Sequence, residues 1–338
     1  MRVLTRMKAL YRNILEGLEE LYILIRISRL HGHECKGAVR LEAGFVVFSL
    51  VKDAQEHIAE FIRYYTVLGA KSIMIVDNGS VDATVDIAES FENVTVFSTS
   101  LDFARFESTI RRSFLRRYCR NMWVLAVDVD EHFDFPRGAS TTMGDFITYL
   151  NSNRYTAVTA CMLDMFALEP ADRAVPSSFL SRYPYLDYES IEKEPYPNGW
   201  LTRNNVVPTG VCIYKGGIRK EVLRTQHEFL LVKHPLMYID DQIIPFTHPH
   251  YCANARIADV VCVLLHFKFT DGLAAKATRI ADDSNSDPTW ATEHRLYKEF
   301  FSANASLLGS HRAYKYGSVM DLANKGFLYV SPTYRAFI

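Results

Sequence analysis

The sequence lacks a run of apolar residues long enough to cross a bilayer, and it lacks a cysteine framework. The apolar run at 21–25 is followed by Arg26 and Arg29, far short of the roughly 18–20 residues that a spanning helix needs. The six cysteines are scattered without a CxxC pair, which argues against a zinc knuckle or disulfide framework and favours a reducing compartment. The basic N-terminus has no apolar stretch with a cleavage site, so we expect a cytoplasmic protein, at most peripheral at the inner membrane face.

The sequence also lacks an excess of charge of either sign. Its 338 residues carry 38 basic and 39 acidic side chains, a formal net charge of −1. Such a balance excludes the broad positive field of a nucleic-acid-binding protein, and the arginines between residues 105 and 120 surround a predicted helix rather than lining one face. An anionic substrate must therefore be bound by local groups. The length predicts one large or two closely packed domains.

Strand and helix patterns alternate through the first third of the chain. Continuous apolar runs predict buried strands at 45–51, 72–76, 94–97 and 123–127. Helical periodicity separates them, at 58–68, up to about residue 91, and at 104–120. This alternation predicts an α/β fold with a doubly wound, mainly parallel sheet and helices on both faces.

The later part of the chain is less regular. A helix is predicted at 143–151, strands at 156–163 and 259–269, an irregular stretch at 170–210, and mostly helix from 271 to 338. Residues 5–30 form an amphipathic pattern, which predicts a helix packed on the domain or a partner chain, or lying on a membrane surface. We therefore divide the chain into an extension (1–40), a main domain (41–270, with halves 41–136 and 137–270) and a helical region (271–338).

Three polar clusters follow the predicted strands. They are Lys52-Asp53, Asp77-Asn78-Gly79-Ser80 and Asp128-Val129-Asp130-Glu131. Ligands of doubly wound sheets bind outside the carboxyl ends of the strands, where these clusters would meet. Asp77 or Asn78 would contact a base or ribose, Gly79 would permit a sharp turn, and Ser80 or Asp82 would cap the next helix. Lys52 and Asp53 would lie beside the nucleotide, with Asp53 as a helix cap the simpler alternative.

The Asp128-Val-Asp130 cluster predicts a metal site. Alternate side chains of an extended segment point the same way, so both carboxylates can face one ion. Two carboxylates with room for water and phosphate oxygens suit Mg²⁺ or Mn²⁺, whereas an isolated acidic turn is the ordinary alternative. His266, inside a late apolar run, is either a third metal ligand or a buried structural histidine. His248 and His250 are weaker candidates, and Lys215-Gly-Gly-Ile-Arg219-Lys220 is a candidate phosphate or sugar contact.

Taken together, these segments resemble the family 2-like glycosyltransferases, and within them the branch shared with the family 92 type. The resemblance rests on residues 45–270, in order: the segments around Lys52-Asp53, Asp77-Asn-Gly-Ser-Val-Asp82-Ala-Thr84, Trp123-Val-Leu-Ala-Val-Asp128-Val-Asp130-Glu131, Tyr214-Lys-Gly-Gly-Ile-Arg-Lys, Leu231-Val-Lys-His-Pro-Leu and Leu265-His266-Phe-Lys-Phe. Asp53, Ala54 and His132 depart from the family pattern, which leaves the donor open.

The resemblance implies a GT-A fold and a metal-dependent transferase. It implies a nucleotide-diphospho-sugar donor, a glycan or glycolipid acceptor, and inversion at the anomeric carbon. The implied donor-site residues are Asp53, Asp77, Asn78, Asp82, Asp128 and Asp130, with His266 as the late metal ligand. Asp240 and Asp241 are the first candidates for the general base, and Asp164, Asp187 and Glu221 are others. The alternatives are a nucleotidyltransferase, against which the absent glycine-rich loop after the first strand argues, and a non-catalytic nucleotide- or sugar-binding protein.

Overall fold

A computed structural model describes residues 17–31, 44–168, 178–225, 228–282, 288–302 and 312–338. The first part of the predicted N-terminal helix, before residue 17, therefore lies outside the described residues. So do parts of the segments predicted as irregular (170–210) and as mostly helical (271–338).

The strands follow the predicted order in the first third of the chain and add several that were not predicted. They are β1 (Ser28–His31), β2 (Phe45–Val51), β3 (Ser72–Asp77), β4 (Val94–Ser98), β5 (Trp123–Ala126), β6 (Glu131–Asp134), β7 (Ala157–Asp164), β8 (Tyr185–Leu186), β9 (Ile191–Pro195), β10 (Cys212–Gly216), β11 (Val232–Tyr238), β12 (Ile244–His248), β13 (Tyr251–Ala253), β14 (Ile257–His266) and β15 (Tyr314–Lys315).

The helices are α1 (17–26), α2 (Ile58–Leu68), α3 (Thr84–Glu89), α4 (Phe103–Tyr118), α5 (Met143–Ser152), α6 (Phe179–Arg182), α7 (Ile218–Leu223), α8 (Leu273–Asp282), α9 (Pro288–Ser302), α10 (Val319–Asn324) and α11 (Pro332–Phe337). Local signals set several ends. Gly69, with φ of 104°, ends α2, and the Asp102 side chain accepts a hydrogen bond from the Arg105 amide at the start of α4.

Nine strands form one sheet in the order β1-β4-β3-β2-β5-β11-β7-β14-β6. Six of these nine run in one direction, and β1, β11 and β6 run against them. The prediction of an α/β fold with a mainly parallel sheet flanked by helices is therefore confirmed. The chain moves outward from β2 to β3 and β4, and then returns to place β5 on the other side of β2. Because right-handed crossovers change face when the direction reverses, α2 and α3 cover one face and α4 the other.

The sheet is curled rather than flat. Ala126 at the end of β5 and Glu131 at the start of β6 are five residues apart, so they lie at most about 18 Å apart. In a flat sheet the four strand spacings between β5 and β6 would total about 19 Å. The connection is also shortened by a turn, in which the Glu131 amide donates to the Asp128 carbonyl (3.0 Å). Curling brings the starts of β6 and β11 and the ends of β7 and β14 next to the end of β5.

The C-terminal region packs onto the same sheet. The Tyr316 hydroxyl donates to Asp134 of β6 (2.8 Å), and the Tyr334 hydroxyl donates to the Pro136 carbonyl (2.6 Å). Val330 pairs with Val260 of β14 through an isolated bridge. Within the described ranges, no helix combines the length and the apolar character needed to cross a membrane.

Candidate active site at the carboxyl edge of the sheet

The three polar clusters meet at one edge of the sheet, where β2, β3 and β5 end; we call this the carboxyl edge. The gap between β2 and β5, where the strand order reverses, is the switch point at which doubly wound sheets bind ligands. Because β7 and β14 run in the same direction, their last residues, Asp164 and His266, reach this edge as well. The antiparallel β6 and β11 begin there, which adds Glu131 and Lys233.

The loops after β2 and β3 bind each other through their own side chains. The Asp53 amide donates to the Ser80 hydroxyl (2.8 Å), and Asp53 Oδ1 accepts from the Val81 amide (3.0 Å). Asp82 Oδ2 accepts from the Gln55 amide (3.1 Å). Asp53 and Gly79 both have positive φ, 49° and 75°, which marks these loops as tight turns. Asp53, Ser80 and Asp82 therefore shape this side of the site, while the Lys52 side chain is exposed.

Asp77 and Asn78 are both buried, and most of their polar atoms are engaged. Asp77 accepts hydrogen bonds from the backbone amides of Gly79 (3.0 Å) and Ser80 (3.1 Å). The Asn78 side-chain amide donates to the carbonyls of Thr99 (3.2 Å) and Leu101 (2.9 Å). The side-chain oxygen of Asn78 is thus the atom of this pair left for a ligand.

Asp128 is bound on both carboxylate oxygens by buried cations. Arg111 of α4 lies 2.6 Å from Oδ1, and Lys233 of β11 lies 2.6 Å from Oδ2. Lys233 also lies 2.6 Å from Glu131, whose second oxygen accepts from the Asp128 amide (3.0 Å). Although burial raises the pKa of Asp128, the charges of Lys233 and Arg111 outweigh it and hold that pKa well below its usual range. Asp130 pairs instead with His266, so the two aspartates have different partners.

Asp130 faces His266, whose other ring nitrogen is bound by Asp164. His266 Nε2 lies 3.5 Å from Asp130 Oδ2, and Nδ1 lies 2.5 Å from Asp164 Oδ1. Asp164 Oδ2 in turn accepts from Nε of the buried Arg219 (2.7 Å). Burial lowers the pKa of His266, but the carboxylates of Asp130 and Asp164 outweigh burial and raise it to about 9. Asp164 thus orients the imidazole so that Nε2 points at Asp130.

Asp130 and His266 fit a divalent cation as two of its ligands, with the cation replacing the proton on His266 Nε2. A histidine whose other ring nitrogen is bound by a carboxylate is the usual arrangement around a metal, and a partly exposed carboxylate beside it suits Mn²⁺ or Mg²⁺. The Asp130 side chain is 25% exposed, so an ion and its water can approach. Among the described residues, no group of three or more His, Cys, Asp or Glu side chains is placed to hold a metal. Further ligands would have to come from substrate and water.

Helix α8 contributes two cations that sequence reasoning did not identify. Arg279 Nη1 lies 3.5 Å from Asp53 Oδ2, and the charge of Lys276 acts on Asp130. Lys276 is exposed as a residue, yet the protein packed around its ammonium group lowers the pKa of that group. Helix α8 lies outside residues 45–270, on which the family resemblance rests. The signal in the sequence was the spacing of Lys276 and Arg279, which are three residues apart and therefore share one face of a helix.

Arg111 and Lys233 were also missed as site residues. Arg111 belongs to the arginines that surround α4, but it lies three and four residues before the buried Phe114 and Leu115, which is a signal of burial. Lys233 has no comparable periodicity, and its signal was that it belongs to the segment Leu231-Val-Lys-His-Pro-Leu, on which the family resemblance rests in part. Both reach Asp128 only because α4 and β11 flank the end of β5.

The structure does not bring Asp240 and Asp241 to this edge. β11 runs against β5, with Tyr238 paired to Trp123, so the residues that follow β11 lie at the opposite edge. Asp241 pairs there with Arg120 (2.6 Å), and Asp240 accepts hydrogen bonds from the amides of Gln242 and Ile243. Over the roughly seven residues between that point and Asp128, a strand rises about 20 Å. Neither carboxylate can take a proton from an acceptor bound beside Asp130.

Of the other base candidates, Asp164 lies at the carboxyl edge, but His266 and Arg219 occupy its two oxygens. Asp187 accepts a hydrogen bond from the Ser190 amide, and Glu221 pairs with Arg312 (3.7 Å). Lys215 and Lys220 pair with Glu194 and Glu228, so that only Arg219 of that segment reaches the site, through Asp164. His248 and His250 lie near Lys233, where burial and the charge of Lys233 lower the pKa of both imidazoles. His250 Nδ1 contacts the Val232 carbonyl (2.9 Å), and His248 accepts from the His250 amide (3.2 Å).

Comparisons with known proteins give partial structural matches. No protein-family model and no curated protein matches the chain. Solved structures that it resembles include mannosyl-3-phosphoglycerate synthase from Rubrobacter xylanophilus, with 17% identity and a TM-score of 0.27 over 36% of this chain and 41% of that one. Another is glucosyl-3-phosphoglycerate synthase from Mycobacterium tuberculosis in complex with Mn²⁺, UDP and glucosyl-3-phosphoglycerate, with 13% identity and a TM-score of 0.26 over 40% of this chain and 52% of that one. Each match thus spans about half, or less, of the other protein.

Proposed function

We propose that this protein is a glycosyltransferase that moves a sugar from a nucleotide-diphospho-sugar donor to an acceptor hydroxyl. The observation that carries the proposal is the pair of Asp130 and His266 Nε2, 3.5 Å apart at the switch point of the sheet, with His266 oriented by Asp164. A metal-binding pair at the place where such sheets bind nucleotides fits a diphosphate ligand. The acceptor we propose is a glycan or glycolipid, as the family resemblance implies.

Asp130 and His266 would hold Mn²⁺ or Mg²⁺. The ion would neutralise the charge that develops on the diphosphate as it leaves. Arg111 and Lys233 keep Asp128 ionised and fixed in position, so that Asp128 can orient the donor beside the metal site. We propose that Asn78 and Lys52 contact the nucleoside, and that Asp53, Asp77, Gly79, Ser80 and Asp82 shape the loops that receive it. The strand order β3-β2-β5 supports this division, because it places the loops after β2 and β3 on one side of Asp128 and Asp130.

Inversion at the anomeric carbon by in-line attack is the stereochemistry that the resemblance implies. It requires a base that reaches the acceptor oxygen on the cleft side of the sheet. Asp240 and Asp241 lie at the far edge, so we do not assign this base to them.

Nucleotide binding by the wild-type protein tests the proposed function directly. We expect one of UDP, GDP or CDP to raise the melting temperature in the presence of Mn²⁺ and to have little effect without it, because a ligand of the native state stabilises it by mass action. The matching nucleotide sugar should then release nucleoside diphosphate when incubated with acceptors. Binding without release would favour a non-catalytic nucleotide-binding protein, and no shift in folded protein would contradict both.

Lys276 and Arg279 should contribute to binding of the donor diphosphate. We expect Lys276→Gln to weaken binding of the nucleoside diphosphate about tenfold or more, because a hydrogen bond to a charged group contributes roughly 1.5–3 kcal/mol. The same variant should leave binding of the free nucleoside unchanged, since that ligand carries no phosphate. Arg279→Gln should show the same pattern with a smaller loss, because Arg279 already pairs with Asp53.

Isothermal titration with the nucleoside and its diphosphate measures both affinities. Lys298→Gln is the matched control, because Lys298 pairs with Asp282 on the exposed side of α8 and α9. Equal weakening of nucleoside and diphosphate would contradict a phosphate contact.

A further inference from the structure

Helix α1 presents an apolar stripe to solvent. Leu18, Leu21, Tyr22 and Ile25 are 59%, 56%, 43% and 73% exposed. Their spacing of three, one and three residues places them on one face of the helix. Large contiguous apolar patches of this kind mark sites that bind a partner or a membrane.

The helix packs on the protein through its opposite face. Glu20 accepts from Arg112 (2.9 Å) and Arg116 (2.8 Å) of α4, and Ile23 is completely buried. A surface helix of a globular protein ordinarily does the reverse, burying its apolar stripe and exposing its charges. Since α1 is already fixed by Glu20 and Ile23, the exposed stripe is available for a further contact.

The surroundings of the stripe are basic. Arg26 lies over the Tyr22 ring (5.3 Å), and Arg105 of α4 lies over Phe106 (4.8 Å), which contacts Tyr22. Both side chains are thus held beside the stripe by aromatic rings, with their charge at the surface of the helix pair. The sixteen residues that precede α1 in the sequence add Arg2, Arg6, Lys8 and Arg12 and contain a single acidic residue, Glu16.

We propose that the exposed face of α1 binds an anionic lipid surface. Apolar side chains at spacings of three and four residues, flanked by arginines, are the features of a helix that lies in the headgroup region. A second copy of this chain is a poorer occupant, because a symmetric contact would bring Arg26 and Arg105 of both copies together. Anionic headgroups instead complement these charges.

The proposed membrane face lies near the active-site edge. Strand β1, which follows α1, begins with Ser28 paired to Ser98, the last residue of β4. The end of α1 is therefore at the carboxyl edge, the edge that also carries Asp130. If the proposed transferase function holds, a lipid-linked acceptor would be presented at the edge where the donor binds; lipid binding itself does not depend on that function.

Vesicle flotation of the full-length protein tests this inference. We expect binding to vesicles of phosphatidylcholine with about 30 mol % phosphatidylglycerol, because anionic headgroups attract basic helices, and little binding to pure phosphatidylcholine. Leu21→Glu/Ile25→Glu should reduce the partition coefficient by roughly tenfold or more, because each removes an apolar side chain from the interface. Arg26→Glu/Arg105→Glu should reduce binding to the anionic vesicles alone.

Val67→Glu is the matched control, because Val67 is 89% exposed on α2, far along the chain from α1. This variant should bind vesicles as the wild type does. Melting temperatures of all variants separate loss of binding from loss of folding. Absence of wild-type binding to anionic vesicles at low salt would overturn the inference. So would a wild-type dimer that Leu21→Glu/Ile25→Glu converts to a monomer, since the stripe would then be covered by a second copy.

Discussion

Asp130→Asn is expected to abolish metal-dependent donor binding and to lower the transfer rate by at least about two orders of magnitude. The substitution keeps the shape of the side chain but removes the charge that would bind the cation. It also leaves His266 as the one remaining ligand of the pair, because Asp128 is bound by Arg111 and Lys233. Without the ion, the charge developing on the leaving diphosphate would lose a contribution of several kcal/mol.

The measurement is the initial rate of nucleoside diphosphate release across a Mn²⁺ titration. Asp241→Asn is the control for the same chemical change, because the Asp241 side chain is 64% exposed and lies at the opposite edge of the sheet. We expect it to retain the wild-type rate and metal dependence. If Asp130→Asn kept full, metal-dependent transfer, the assignment of Asp130 to the metal would be wrong.

Lys233→Met is expected to cost roughly 3–5 kcal/mol of the free energy of unfolding. The ammonium group lies 2.6 Å from both Asp128 and Glu131, its side chain is 12% exposed, and that of Glu131 is 1% exposed. Methionine has a similar length but no charge, so the variant leaves the Glu131 carboxylate buried without its counter-charge. Removing one partner of a buried ion pair lowers the free energy of unfolding far more than replacing both partners with uncharged residues.

Urea unfolding of Lys233→Met and of the double variant Lys233→Met/Glu131→Gln separates charge from packing. The neutral glutamine amide of the double variant needs no counter-charge and can still accept from the Asp128 amide, as Glu131 does now (3.0 Å). We therefore expect the double variant to be more stable than Lys233→Met. A single variant within about 1 kcal/mol of the wild type would show that water, rather than Lys233, compensates Glu131.

The sequence alone determined the parallel half of the sheet and the residues at its edge. Buried strands produce continuous apolar runs, and the runs predicted at 45–51 and 94–97 correspond to β2 and β4 within one residue. Polar clusters directly after such runs must lie at the carboxyl edge, whatever the order of the strands. For this reason the loops after β2, β3 and β5 were placed together correctly from local information.

Two strands that complete the sheet, β6 and β11, lack the continuous apolar runs from which a buried strand can be predicted. β11 contains Lys233, His234 and Pro235, a combination typical of a loop, yet it lies between β5 and β7 in the middle of the sheet. The structure accommodates Pro235 because the pairing with β7 shifts register between Lys233 and Leu236, where a missing amide is tolerated. β6 begins with Glu131 and ends with Asp134, so it lacks an apolar pattern as well.

Tertiary structure alone decided the direction of β11 and the partners of the two aspartates. The direction of β11 places Lys233 beside Asp128 and sends Asp240 and Asp241 to the opposite edge. Spacing along the chain predicts that Asp128 and Asp130 point the same way, but their orientation depends on which charges pack around them. Those charges, Arg111, Lys233 and His266, come from distant segments, and only the curled sheet brings them within ion-pair distance.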